Sequence, residues 1–485
     1  MGEHDCDKFA LISEMNQLVD LFVKTPVGDS EIFTLEKIEQ QGTGLGPIKC
    51  SNQMDSISRE MLRDGVDMFK FRNAVTIPPL GMIDDLGAIA KCGPQSIILN
   101  ATINAKINMK RLEFNKSKCV KLHVSKESRK SCTESNARNV KCAFLDVQNS
   151  EMRISGEEKY IGDVISSNGS NDANISRRRS IGIGALSQIF SILNEISYGY
   201  QYIEIGLVLR ESTLLSKILL SAESWHNLFL YQIEKLEEVD LSFFKQLFNS
   251  HSKTATEFYY SETGKIPIRI QVSVKRLLYW WQILRSNKSE MLYKVYYAQK
   301  ISPVHGDWIN LLKTDKSDFG INISDDEVAA LSQQKFKDFV KKRSVELTIK
   351  YLENLKRNHS KSSQLEVRDM EISPYLVDSR FLKEEREILF KLRSRTISVK
   401  QNFPNAYMNN DMLCDLCQLF PCTQSHPLQC PVLSSRLVVE KNINLRDSFV
   451  YGTVDQQLLY VKIYKHFWDL RDKLLKEKNG TNEED

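Results

Sequence analysis

The apolar residues of this chain change period near residue 182, and that switch constrains the fold more than any other feature. Beyond it, Leu186, Ile189, Phe190, Leu193 and Ile196 recur at helical spacing. Leu214, Leu215, Ile218, Leu219 and Trp225 continue the pattern, as do Leu228, Leu230, Ile233, Leu236, Phe243, Phe244 and Leu247. Before it, short β-like runs such as LFVKTPVGDSEIFTLEKI, VTIPPLGMIDDLGAIAK and CVKLHVS are punctuated by Gly, Pro, Asn and Asp. That is the pattern of antiparallel strands joined by turns. An α+β chain is expected. A strand-bearing region covers 1–165 and a small polar linker 166–181, which includes SSNGSNDANIS. A helical domain covers 182–300, a basic helical region 301–410 and a cysteine-rich knuckle 411–433. An amphipathic helix and a tail follow over 434–485.

Composition removes several classes. Of 485 residues, 41% are hydrophobic and 26% charged, which fits neither a wholly disordered chain nor a fibrous one. No apolar run of 18 or more residues without a charge occurs, so no membrane span is expected. The opening MGEHDCDKFALISEMNQL is acidic and has no apolar core of a secretory signal. A formal charge of +4 is too mild to argue for nucleic acid; any such argument rests on local clusters.

Ten cysteines divide unevenly. Six are scattered, and Cys414, Cys417, Cys422 and Cys430 crowd into one short stretch. That distribution suits a reduced, intracellular chain, nuclear or cytoplasmic, with a metal site. Cys414-x2-Cys417-x8-His426-x3-Cys430 offers three thiolates and an imidazole, a full tetrahedral set for a structural Zn²⁺. Cys422 is a spare thiol able to compete with His426.

Ile83-Asp84-Asp85-Leu86 is flanked by apolar residues on both sides, as at the tip of a β-hairpin. Adjacent carboxylates suit a hard cation such as Mg²⁺, and two such ions can clamp a phosphoryl transfer. Asp-Asp is equally a common turn dipeptide. Residues 335–361 hold nine Lys or Arg and three acids, so a helix there either tracks a phosphate backbone or presents a solvated face. Lys275, Arg276, Tyr279, Trp280, Trp281 and Arg285 interleave charge with aromatics. The stripe Val274, Leu277, Leu278, Trp281 and Leu284 favours core for most of them. Arg177, Arg178 and Arg179 are a phosphate contact or part of the linker.

The order of four segments adds a resemblance. QGTGLGP (41–47), IDD (83–85), LEFNKSKC (112–119) and YIGD (160–163) resemble motifs B, C, D and E of reverse transcriptases. LVLRESTLLSKILLSAESWHNL, HSKTATEFYYSETGKIPIRI, KRLLYWWQIL and CDLCQLFPCTQSHPLQCPVL resemble the C-terminal half of non-LTR retrotransposon polyproteins, so the likeness runs from about residue 15 to 435. It implies a partial polymerase palm, a helical thumb and a CCHC knuckle associated with nucleic-acid binding. It implies Asp84 and Asp85 as Mg²⁺ ligands and Lys118 as proton donor to the leaving pyrophosphate. Gln41, Gly42, Leu45 and Pro47 are implied near template and nucleotide. Tyr160, Gly162 and Asp163 are implied as the primer grip. The implied partners are an RNA template, a DNA primer or target, and dNTPs. In the family, motif A precedes motif B and supplies another metal-binding aspartate. Asp5, Asp7 and Asp20 do not resemble it, so motif A and the fingers are expected upstream of Met1 and the chain is expected to be inactive alone.

Overall fold

The computed structural model describes residues 46–82, 85–110, 112, 114–115, 118–122, 153–196, 201–359, 362, 365, 367, 370–403, 412–434 and 452–480. Four short strands precede them. The chain divides into two compact units, Met1–Gly162 and Asp163–Asp485.

In the first unit the strands pair two by two. β1 (Val19–Leu21) runs antiparallel to β4 (Phe33–Leu35), and β2 (Lys24–Thr25) to β3 (Gly28–Asp29). β5 (Lys70–Phe71) pairs with β6 (Val75–Thr76), and β7 (Leu80–Met82) with β8 (Asp85–Gly87). β9 (Val120–Leu122) pairs with β10 (Arg153–Ser155) in parallel, which departs from the all-antiparallel expectation. A parallel pair needs a long crossover, and the thirty residues between these strands are enough chain for one. β11 (Glu157–Tyr160) ends the unit. No broad palm-like sheet forms among the described residues. The core here is helical. Met54, Ile57 and Met61 of α1 (Gly46–Arg63) meet Leu99, Ile103 and Ile107 of α2 (Gly93–Met109), with Leu86 of the hairpin packed beside them.

The second unit opens with β12 (Asp163–Ser166) and is otherwise helical. Here the linker expectation fails. α3 spans Asp172–Glu195, so most of 166–181 is helix. Its polar residues are bonded rather than solvated: Asn174 Oδ1 accepts from the Val164 N–H at 3.1 Å, and buried Arg178 pairs with Asp163 at 2.5 Å. Composition hides this because a small polar run reads as loop until its partners are known.

α3 packs on α5 (Leu230–Leu247), with α4 (Tyr202–Leu209) continuing through a π-turn, Arg210–Leu215, into Ser216–Ile218. α6 (Thr256–Thr263) joins this first core through Phe258, Tyr259 and Tyr260. A second core gathers α7 (Ile268–Arg285), α8 (Met291–Ile301), α9 (Trp308–Asp318), α10 (Asp325–Ala330) and α11 (Gln333–Asn358) around Trp280. α10 starts at a reciprocal cap: Ser324 Oγ accepts from the Glu327 N–H and Glu327 accepts from the Ser324 N–H. The Tyr-Trp-Trp run is core. The Trp280 indole donates to Tyr296, Trp281 stacks on Phe336, and Arg276 is buried against Asp315 at 2.6 Å. After α12 (Pro374–Val377), a third core joins α13 (Lys383–Arg393), the knuckle, α14 (Pro431–Ser434) and α15 (Val454–Gly480).

Candidate metal centre and acidic hairpin

The cysteine-rich stretch folds into a tight turn closed by a Leu413–Pro421 bridge and a Cys414 N–H to Phe420 carbonyl bond of 2.8 Å. This brings Cys414, Cys417, His426 and Cys430 together, with all four ligand atoms within 4.8 Å of one another. Cys417 Sγ lies 3.4 Å from His426 Nε2. Tetrahedral zinc with ordinary bond lengths puts S and N about 3.6 Å apart, so the spacing fits.

The backbone is arranged for thiolates. Cys414 Sγ faces the N–H groups of Leu416 and Cys417; Cys417 Sγ faces those of Leu419 and Phe420. Cys430 Sγ faces those of Val432 and Leu433. Six peptide dipoles thus point at three sulfurs and favour their charged form. Burial nonetheless pushes the Cys414 thiol up to about 12 and raises Cys430 as well. Burial also pushes Cys417 up, but its amide partners outweigh it and hold that thiol below its ordinary value. Burial keeps the His426 imidazole below its usual range, hence neutral and able to ligate. Three thiolates crowded without a cation repel one another; a divalent ion removes that cost. The cluster can hold a metal ion and its donor set is compatible with zinc. Four protein ligands would fill all the positions of a tetrahedral ion.

Cys422 does not compete with His426. It is buried in the third core and stands outside the ligand set. In place of a free-standing knuckle, the structure bolts the turn to its surroundings. Asp415, between the first two ligands, accepts from Lys400 Nζ at 2.9 Å and from Arg471 Nε of α15 at 2.7 Å. Sequence reading missed this clamp because the three residues are far apart in the chain and individually ordinary.

Asp85, the described member of the acidic pair, begins the second strand of a hairpin. β7 and β8 register Leu80 with Gly87, Gly81 with Leu86 and Met82 with Asp85, leaving Ile83 and Asp84 as the two connecting residues. Those two lie outside the described residues; Asp85 is exposed. α1 runs against β7. Ser58 Oγ donates to the Pro79 carbonyl, and a Cβ on Gly81 would stand 3.1 Å from Met54 Cβ. Tyr160 reaches the same hairpin from 80 residues away: its hydroxyl donates to the Leu80 carbonyl at 2.8 Å. Gly87 makes room for it, since a Cβ there would meet Tyr160 Oη at 3.0 Å. Burial, then the nearby Asp85 charge, raise the Tyr160 hydroxyl above its ordinary value.

The remaining expected site residues are described only in part. Gln41, Gly42 and Leu45 lie outside the described residues, and Pro47 falls in the first turn of α1. Lys118 is exposed in a single turn before β9. Ile161 and Gly162 both hold positive φ, 48° and 87°, as a tight two-residue turn requires. Asp163 belongs to the second unit and is the partner of Arg178. Among the described residues no third carboxylate joins Asp85; the Cys₃His set is the one group of three or more potential ligands. Two acids alone do not complete a two-metal site, so the described residues do not fit a catalytic Mg²⁺ pair. Among the described residues, no helix is long and apolar enough to cross a membrane.

No protein-family model and no curated protein matches this chain.

Proposed function

We propose that this chain is the C-terminal portion of a non-LTR retrotransposon reverse transcriptase, an RNA-directed DNA polymerase lineage, carrying a structural zinc. The supporting observation is convergence. The helix that begins at the end of QGTGLGP packs on the strand that leads to the Asp84-Asp85 turn. The tyrosine of YIGD is bonded to that same hairpin. Three segments far apart in sequence meet in one unit, in the combination that the motif resemblance calls for.

In this reading Asp84 and Asp85 are acids that bind Mg²⁺ weakly, and Lys118 and the Gln41–Pro47 segment face the nucleotide. A second role is that the chain taken alone binds RNA or DNA without extending a primer. Surface charge supports that role. α11 exposes Lys335, Lys337, Lys341, Lys342, Lys350 and Arg357 without an acidic partner among the described residues. Primer extension with an RNA template, dNTPs and Mg²⁺, run beside electrophoretic shifts across a salt series, tests both. The expected outcome is a shift that weakens steeply with salt and no incorporation. Incorporation that disappears in Asp84→Ala/Asp85→Ala overturns the non-catalytic role. No shift with RNA or DNA at low salt overturns the nucleic-acid reading.

A further inference from the structure

α11 buries one face completely. Phe336, Val340, Ser344, Thr348 and Leu352 are its buried positions, and the helix packs on α7 and α6. It is a rigid rod, and what it turns to solvent is held in place. At 3.6 residues per turn, Lys335, Lys342, Lys350 and Arg357 fall within about 80° of arc and extend about 33 Å along the axis. Two acids share this face, and each is already neutralised. Glu346 is paired with Arg343, and Glu353 lies 3.7 Å from Lys356. Arg343 is also fixed from behind, its Nε donating to the Phe319 carbonyl at 2.8 Å. The four cations of the stripe have no acidic partner among the described residues.

One further residue lies inside the arc. Phe339 stands one turn after Lys335 and one turn before Lys342, on the same face, and is 40% exposed. Its ring stacks on no other ring among the described residues. Every other aromatic residue of this helix faces inward or half inward: Phe336 is buried, and Tyr351 lies under the Arg269 guanidinium. The uncovered part of this apolar ring, set between lysines, costs hydration free energy.

A duplex hides its base faces, so it takes from such a stripe only phosphate contacts. A single strand offers phosphates and π-faces together, and basic residues interleaved with an aromatic ring are the arrangement that holds one. An acidic protein surface would satisfy the lysines and leave the ring without a matching flat partner. We infer that the outer face of α11 is a binding track for single-stranded nucleic acid, its phosphates on Lys335, Lys342, Lys350 and Arg357 and an unpaired base stacked on Phe339. This rests on the nucleic-acid reading given above and specifies which strand state that surface takes.

The test uses the full chain and labelled 20-nucleotide probes of one mixed sequence: single-stranded RNA, single-stranded DNA and the matching DNA duplex. Phe339→Ala is expected to weaken both single strands by about 5-fold to 100-fold and to leave the duplex within about 2-fold. Phe339→Trp retains single-strand binding. The quadruple variant K335Q/K342Q/K350Q/R357Q is expected to flatten the log–log salt dependence on single strands by about 3, four contacts at about 0.7 each. Circular dichroism is expected to stay unchanged in all variants, and Phe339→Trp controls for the covered part of the ring. Equal single-strand affinity in wild type and Phe339→Ala overturns the inference, and so does an equal loss on duplex and single strand. Single-strand binding that both variants retain undiminished removes this track alone, whereas a wild type that binds none of the probes removes the nucleic-acid reading as well. Loss on RNA but not DNA, or the reverse, identifies which polymer the stacked base belongs to.

Discussion

At the scale of single residues, the most constrained side chain is one that hydrophobic periodicity passes over. Arg210 is fully buried at the start of the π-turn. Its Nε and Nη2 donate to the two carboxylate oxygens of buried Asp240 at 2.6 and 2.7 Å, and the Tyr260 hydroxyl donates to the same carboxylate at 3.0 Å. The Phe244 ring covers the guanidinium with its centroid 5.0 Å away. Such a pair offsets its own desolvation only while both partners remain. Arg210→Met is expected to cost about 3–5 kcal/mol in urea unfolding, because it strands the Asp240 charge. Adding Asp240→Leu is expected to recover most of that loss. Strictly additive losses in the double variant would show that the two charges do not depend on each other. A sequence pattern marks Leu207, Leu214 and Leu215 as inward, but it has no way to assign Arg210 to the interior before Asp240 and Tyr260 are known to face it.

At the scale of elements, the metal turn and the last helix form one piece. Tyr460, Tyr464 and Phe467 of α15 pack with Cys414, Cys422, Cys430 and Leu433, and Asp415 ties the turn to Lys400 and Arg471. Burial raises the Asp415 carboxyl, but Lys400 and Arg471 outweigh burial and hold it below the ordinary carboxylate value. A carboxyl lowered in the folded state contributes its stability above its unfolded pKa, about 4, and loses it as pH falls through the folded value. Asp415→Asn is therefore expected to destabilise the chain by about 2 kcal/mol at pH 7. The difference from wild type should shrink below about pH 4. A gap of constant size from pH 7 to pH 3, measured by denaturant unfolding, would reject the ion-pair clamp. The helix of α15 was legible from Leu458, Leu459, Ile463, Phe467, Trp468 and Leu474, but its partner was not. Amphipathicity says that a face is buried and is silent on what buries it.

At the scale of the whole molecule, the described residues of the second unit gather into three apolar clusters, and the third contains the cysteines of the candidate metal set. Removing the ion then acts locally. Chelation is expected to abolish hydrogen-exchange protection over 412–434 and lower it over 454–470, while α3, α5 and α7 keep theirs. Metal analysis of the untreated chain is expected to give about one zinc per chain, from the one set of four potential ligands among the described residues. Uniform loss of protection across the unit, or no change anywhere, would count against a local structural role. The linker expectation also fails at this scale. Residues 166–181 look like loop in isolation, whereas in the fold Arg178 and Asn174 lie on a helix and bond to Asp163 and Val164 of β12. The α+β expectation stands in its coarse form: among the described residues the strands of the first unit pair two by two, and no polymerase palm is shown.

The sequence by itself determined the local matters. It set where helical periodicity begins, the strand-turn-strand pattern on either side of Ile83 and Asp84 and the Cys/His spacing of the knuckle. Each of these depends on neighbours within a few turns of chain, so spacing alone carries it. Only the tertiary structure decided which polar groups go inside, that Cys422 is packing and not a ligand, that Tyr160 reaches the acidic hairpin and that Asp415 fastens the metal turn. Those outcomes depend on partners dozens to hundreds of residues away, and a buried charge or a spare thiol has no local signature until its partner arrives.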